Sequence, residues 1–137
     1  MSTISTIFTD VLIIGGGPSG LAASIHLADT LKQKGLEHRI LLIEKGSFIG
    51  NHILSGAVIK PSVFKELLPE VDFSEIPFNT KVTKDSTILL RENGHIKLPI
   101  QVPYMNNMGN YIGSLGQICK YLAKKAEEKG VEIYTGF

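Results

Sequence analysis

The feature that most constrains this chain is a continuous apolar run, Val11-Leu12-Ile13-Ile14, that ends in Gly15-Gly16-Gly17-Pro18-Ser19-Gly20. An apolar run without polar alternation reads as a parallel strand buried on both faces. Pro18 suits a first helical turn. From Leu21 the apolar spacing becomes helical through Ile25, Ala28 and Leu31, and Gly35 supplies a C-terminal stop. A second apolar run, Arg39–Glu44, follows and ends on an acid. Strand, glycine turn, helix and strand make one complete βαβ unit over about 10–44. The expected fold class is therefore α/β, with a Rossmann-like dinucleotide-binding unit.

The chemistry of that unit follows from its turn. A helix N-terminus offers unpaired N–H groups and the positive end of the helix dipole, which suit a pyrophosphate. Gly15 permits the tight turn, Gly17 lets backbone approach the phosphates, and Gly20 lets the helix pack on the strand. Gly16 adds freedom, while Pro18 and Ser19 start the helix. Glu44 stands 24 residues after Gly20, placed to accept hydrogen bonds from ribose hydroxyls. Its charge opposes the extra phosphate of NADP and leaves FAD and NAD as candidates. Lys45 either reaches a phosphate or is a solvated strand-end lysine. Gly50, Ser55 and Gly56 are small enough to let backbone N–H groups face a pyrophosphate or flavin; the alternative is a plain irregular loop.

The remaining chain reads as an elaboration of the unit. Residues 46–60 read as irregular, with a short helix over Pro61–Leu68. Thr87–Arg91 and His95–Ile100 flank Glu92-Asn93-Gly94, a strong hairpin signal. The alternation of Ile96, Leu98 and Ile100 predicts one buried face. Residues 101–113 read as loop, Ser114–Lys129 as a helix, and Val131–Tyr134 as a further strand. A doubly wound sheet needs more strands than these, which predicts an incomplete domain and a longer protein.

Composition excludes several functions. The 137 residues carry a formal net charge of +1, so no strong field calls for nucleic acid. Cys119 is the single cysteine, so no intramolecular disulfide and no cysteine-ligated cluster can be built from this chain alone. No His/Cys spacing suggests a metal site. His52 has no partner acid or nucleophile in the sequence pattern, and no catalytic residue is assigned. The first ten residues lack the basic start and apolar core of a secretory signal. No run approaches the ~20 apolar residues of a spanning helix.

The segments DVLIIGGGPSGLAASIHL, LLIEK, IGNHILSGAVIKPSVFKELLPE, PFNTKVTKD, MNNMGNYIGSLGQ and GVEIYTGF together resemble electron-transfer flavoprotein–ubiquinone oxidoreductase, from about Asp10 to Phe137. The His52–Ala57 and Met105–Tyr111 segments are the more specific part. Met108 stands where that family usually has histidine, and the lead-in Gln101-Val102-Pro103-Tyr104 is altered. The resemblance implies FAD, a four-iron–four-sulfur (4Fe-4S) cluster whose ligands lie outside this chain, and electron transfer from reduced electron-transfer flavoprotein to ubiquinone. It implies that this segment holds the ADP part of FAD and that about 49–70 faces a membrane surface. The implied location is the cytoplasmic face of a bacterial inner membrane, or the mitochondrial inner membrane. Two alternatives remain: another FAD-dependent oxidoreductase of prenyl-reductase or hydroxylase type, and a non-catalytic dinucleotide-binding module.

Overall fold

A computed structural model describes residues 6–54, 56–99 and 103–137. Ser55, Ile100, Gln101 and Val102 lie outside the described residues. In chain order the elements are β1 (Val11–Ile14), α1 (Pro18–Gln33), β2 (Ile40–Glu44), β3 (Ala57–Ile59), α2 (Ser62–Leu67), β4 (Phe78–Lys81), β5 (Ile88–Arg91), β6 (Gly94–Lys97), β7 (Tyr111–Gly113), α3 (Leu115–Glu128) and β8 (Glu132–Thr135). The architecture is mixed α/β with a parallel sheet, as the sequence pattern predicts.

The parallel sheet has the order β1-β2-β8. Val11 pairs with Ile40 and Ile14 with Ile43, while Leu42 pairs with Ile133 on the other side. Helices α1 and α3 pack against each other, and Leu21, Ile25, Leu42, Ile118, Leu122 and Ala126 form the core beneath them. Ser114 caps α3 by accepting from the Gln117 amide. Lys129 joins the α1 and α2 ends of the molecule, with Nζ 2.8 Å from both Asp29 and Glu70.

A second sheet is antiparallel, in the order β3-β7-β4, with a register shift between Phe78 and Thr80. Phe78 anchors it: its ring lies edge-on to Phe64 of α2 at 5.3 Å and stacks on Tyr111 of β7 at 4.8 Å. The β5–β6 hairpin forms a third, two-stranded sheet with Leu89 opposite Ile96.

Four expectations need correction. First, β1 is not buried on both faces: Leu12 and Ile14 are exposed. The most covered strand is β2, which lies between two partners and carries buried Ile40, Leu41 and Leu42. Second, the stretches read as irregular and as loop contain β3 and β7, each only three residues long. So short a strand shows no period; only pairing defines it. Third, neither face of the β5–β6 hairpin is buried, and Ile88, Leu89, Leu90, Ile96 and Leu98 are all exposed. Alternation marks a face that wants cover but does not supply the cover. Fourth, the segment 49–70 is not a membrane-facing surface throughout. Ile49, Phe64 and Leu68 belong to the core, because α2 packs inward on the antiparallel sheet; Leu54, Val58 and Val63 remain exposed. Among the described residues, no helix is long and apolar enough to cross a membrane.

Candidate dinucleotide-binding site

The site is built where β1 hands over to α1. The Gly15 amide donates to the Ile43 carbonyl at 2.8 Å, which ties the turn to the end of β2. Gly15 has φ +105°, a conformation that strains any L side chain. Gly16 is buried, and a Cβ there would strike Ile49 Cδ1. A Cβ on Gly20 would collide with the Gly15 carbonyl oxygen. Gly17 differs: a Cβ there, as at Gly15, would meet nothing within 4 Å, but its φ of −80° puts no strain on a side chain. Three of these glycines therefore serve the turn's own geometry and packing, while Gly17 faces open space. Gly17 is also the N-cap of α1, and it supplies no side-chain hydrogen bond to the first turn. Pro18 and Ser19 are exposed beside it. The first amides of a helix have no partner inside the helix, so this end can receive an anion.

Glu44 closes the other side. Its Oε2 accepts from the Gly16 amide at 2.8 Å, and its Oε1 accepts from the Gly46 amide at 2.7 Å. The Gly46 and Gly16 amides, in that order, hold its carboxyl below the ordinary glutamate value. His52 Nδ1 lies 4.0 Å from Oε1. The carboxylate thus braces the glycine turn as well as facing the site. Each oxygen has a second lone pair, which leaves room to accept a hydroxyl.

A cleft of about 370 Å³ adjoins the turn, lined by Ile14, Gly15, Ile43, Glu44, Lys45 and Phe137. The structure therefore brings Gly15, Gly16, Gly17, Pro18, Ser19, Gly20, Glu44 and Lys45 together, with the Lys45 side chain exposed at the rim. Gly50 has φ +87° and packs on α3, where a Cβ would come within 2.9 Å of the Gly116 carbonyl oxygen. Its glycine is thus required by helix packing. Gly56 has φ +93° and open space around it.

Sequence reasoning missed Gly46, Ile49 and Phe137. A glycine two residues after a strand-end acid was a usable signal for the first, because an acid can bond a nearby backbone amide. Nothing local marks the other two. The Met105–Tyr111 segment proves to be a brace: Asp85 accepts from the Asn107 backbone and side chain, Asn106 Oδ1 accepts from the Met108 amide, and the Gly109 amide donates to Val82. Met108 itself is exposed. Cys119 is buried on α3, and burial pushes its thiol up to about 11.

A family model for NAD(P)-binding Rossmann-like domains matches residues 13–69. Electron transfer flavoprotein-ubiquinone oxidoreductase from Pseudomonas aeruginosa is 46% identical over 131 residues, covering 93% of this chain and 24% of that protein. The mitochondrial protein of that name from Mus musculus is 44% identical over 130 residues, covering 93% of this chain and 21% of the other, and that of Dictyostelium discoideum is 43% identical over 128 residues. Among solved structures, a geranylgeranyl bacteriochlorophyll reductase-like protein from Thermoplasma acidophilum superposes with a TM-score of 0.64 at 23% identity, over 93% of this chain and 30% of that one. CtdE in complex with FAD gives a TM-score of 0.57 at 22% identity, over 95% of this chain and 30% of that one. These two likenesses carry the fold. By sequence, the chain is similar to one part of the electron transfer flavoprotein-ubiquinone oxidoreductases and spans about a fifth to a quarter of the length of the relatives it matches.

Proposed function

We propose that this chain holds the ADP part of FAD within an oxidoreductase that passes electrons from reduced electron-transfer flavoprotein to ubiquinone. The observation that carries the reading is the division of labour in the glycine turn. Gly15, Gly16 and Gly20 are held to glycine by conformation or packing, and Gly17, with an ordinary φ of −80°, combines open space with the N-cap position of an uncapped helix. A pyrophosphate placed there meets unpaired amides and the positive end of α1. Glu44, ionised and fixed by two amides, is positioned to receive ribose hydroxyls and opposes an additional ribose phosphate. FAD supplies the electron-accepting ring system when bound; the residues of this chain bind and orient its nucleotide end. Gly50, Ser55 and Gly56 are proposed neighbours of the pyrophosphate or flavin, with Ser55 outside the described residues. A 4Fe-4S cluster needs four thiolate ligands, so its cysteines belong to sequence other than this chain, which has one.

The membrane contact in this proposal belongs to the β5–β6 hairpin, since Phe64 and Leu68 of the 49–70 segment lie in the core. Leu89 and Ile96 lie on one face, Ile88 and Leu90 on the other, and none is covered. Arg91 and Lys97 lie among them, spaced to reach headgroups while their stems stay on apolar surface. This suits an enzyme whose quinone stays in a bilayer at the inner membrane.

The deciding experiment is a titration of the protein containing this chain with FAD, NAD and NADP, followed by its oxidation of reduced electron-transfer flavoprotein with a soluble ubiquinone analogue. The reading expects stoichiometric FAD, no comparable affinity for the nicotinamide dinucleotides, and quinone-dependent turnover. FAD binding without that turnover would leave a flavoprotein of prenyl-reductase or hydroxylase type. No FAD binding would leave a nicotinamide-binding module.

A further inference from the structure

The tip of the β5–β6 hairpin joins two residues that can react with each other. The ladder ends at Arg91 opposite Gly94, which leaves Glu92 and Asn93 as the turn. Asn93 and Gly94 are both exposed. A Cβ at Gly94 would meet nothing within 4 Å, so the space beside this position is open. Among the described residues, the Asn93 side chain has no hydrogen-bond partner. The asparagines of the 105–111 segment differ. Asn107 Nδ2 donates to Asp85 at 3.2 Å and to the Met105 carbonyl at 3.1 Å, and Asn106 Oδ1 accepts from the Met108 amide at 2.9 Å. Asn93 is also the only asparagine in the chain that precedes a glycine.

We propose that Asn93 is a self-modification site, at which the Gly94 backbone nitrogen attacks the side-chain amide and water converts it to a carboxylate. The Gly94 nitrogen bonds to Asn93 Cγ and closes a five-membered imide. The side-chain nitrogen leaves as ammonia, carrying the proton that the Gly94 amide gives up. Water then opens the ring at one of its two carbonyl carbons, giving aspartate or isoaspartate. One water is consumed, one ammonia is released, and nothing is oxidised or reduced. Glycine favours the attack because no Cβ crowds its nitrogen. An untethered side chain reaches the backbone without giving up a hydrogen bond, which the Asn106 and Asn107 side chains cannot do. The product places a new negative charge beside Glu92, on a hairpin whose Arg91 and Lys97 supply positive charge. The consequence for binding rests on the membrane contact proposed for this hairpin: an added carboxylate opposes an anionic lipid surface. The modification therefore weakens that contact as the protein ages.

The test incubates the folded protein containing this chain in warm, mildly alkaline buffer, then cleaves it after Arg91 and Lys97. The fragment Glu92–Lys97 holds a single asparagine, so its mass reports Asn93 alone. The expected result is conversion of Asn93 with matching release of ammonia and a mixture of aspartate and isoaspartate, while Asn106 and Asn107 stay intact over the same interval. Asn93→Gln should leave that fragment unconverted, because its ring would need six members. Sedimentation with vesicles containing anionic lipid supplies the second readout. Aged wild type and fresh Asn93→Asp should both bind about fivefold more weakly than fresh wild type, the effect of one charge near such a surface. The difference should vanish at high salt. An intact Asn93 in the folded protein, or conversion no faster than at Asn107, would overturn the modification site. Conversion with equal vesicle binding in wild type and Asn93→Asp would overturn its effect on the contact. Fresh wild type that fails to sediment with vesicles would overturn the membrane contact itself, a result distinct from the other two.

Discussion

The glycine turn and the β5–β6 hairpin are both short motifs with strong local sequence signals, and they end in opposite environments. The turn is fixed from several directions: Gly15 to Ile43, Gly16 to Glu44, Ile49 against Gly16, and Gly20 against Gly15. The hairpin has its ladder, from Ile88 opposite Lys97 to Arg91 opposite Gly94, and a closing bond from the Leu98 amide to Thr87. Nothing among the described residues buries its apolar side chains; Leu90 is 75% exposed. A two-stranded hairpin on its own is marginally stable in water. Backbone pairing is thus a local property that a motif can specify. Burial depends on what arrives from elsewhere.

The largest expected effect separates α2 from that hairpin. Phe64 is 6% exposed and packs its ring on Phe78. Phe64→Asp removes this packing and places a charge in the core. The loss should exceed about 3–5 kcal/mol, the usual cost of deleting a buried phenylalanine side chain. Urea denaturation should find the variant unfolded or close to it. A folded Phe64→Asp variant of near wild-type stability would mean that α2 is a surface element after all.

Next in size is the contrast within the turn. Gly20→Ala forces a Cβ onto the Gly15 carbonyl oxygen and should destabilise by about 2–3 kcal/mol, as overpacked sites do. Gly17→Ala enters open space at φ −80°, so stability should change by no more than about 1 kcal/mol in either direction. Chemical denaturation of both variants checks the pair. On the proposed function, Gly17→Val loses FAD while staying folded, and Gly20→Ala loses both together. Equal destabilisation of the two would erase the distinction between a packing glycine and a ligand-facing one.

These contrasts show what the sequence could and could not reveal. The βαβ unit was legible because its signals act within a few residues: an apolar run, a glycine turn, a proline at the first helical turn. Glu44 was legible as an acid at a strand end. Its bonds to Gly16 and Gly46 were not, because they depend on how two strand ends meet. Strands β3 and β7 were illegible because three residues cannot show a period, and they exist through long-range pairing, from Ala57↔Gly113 to Ile59↔Tyr111. The buried Phe64 and the bare Leu90 could not be told apart by pattern. Both sit in short apolar stretches, and only the antiparallel sheet decides which one is covered.

A smaller effect concerns the bracing acid. Glu44→Ala leaves the Gly16 and Gly46 amides without their carboxylate and should cost about 1–3 kcal/mol of stability. The carboxyl is held below its ordinary value in the folded protein. Its stabilising contribution is therefore fully present above the unfolded glutamate value, near about 4.3. It is lost as pH falls through the lowered folded value. Wild type and Glu44→Gln should thus differ most in denaturation midpoint at neutral pH, and the difference should shrink below about pH 4. A difference independent of pH would mean that the charge does not brace the turn.

The smallest effect on stability, and the sharpest test of the comparison, is at the hairpin. Leu89 and Ile96 face each other across the ladder and both are exposed, so neither contributes burial to the core. Leu89→Asp and Ile96→Asp, made singly, should change unfolding free energy by no more than about 0.5 kcal/mol. The same change at Phe64 is expected to be several times larger, although all three side chains are large and apolar. If the hairpin meets a bilayer, association with vesicles containing anionic lipid should behave in the opposite way. Wild type should sediment with the vesicles, and each hairpin variant should lose most of that binding, because a carboxylate at the contact adds desolvation and like-charge repulsion to the lost apolar area. Substituting Arg91 or Lys97 with Gln should weaken binding less and mainly at low salt, since their share is electrostatic and screened. Two results would break this account. Strong destabilisation by Leu89→Asp would make the hairpin part of the folded core, and unchanged vesicle binding in both variants would remove it from the membrane surface.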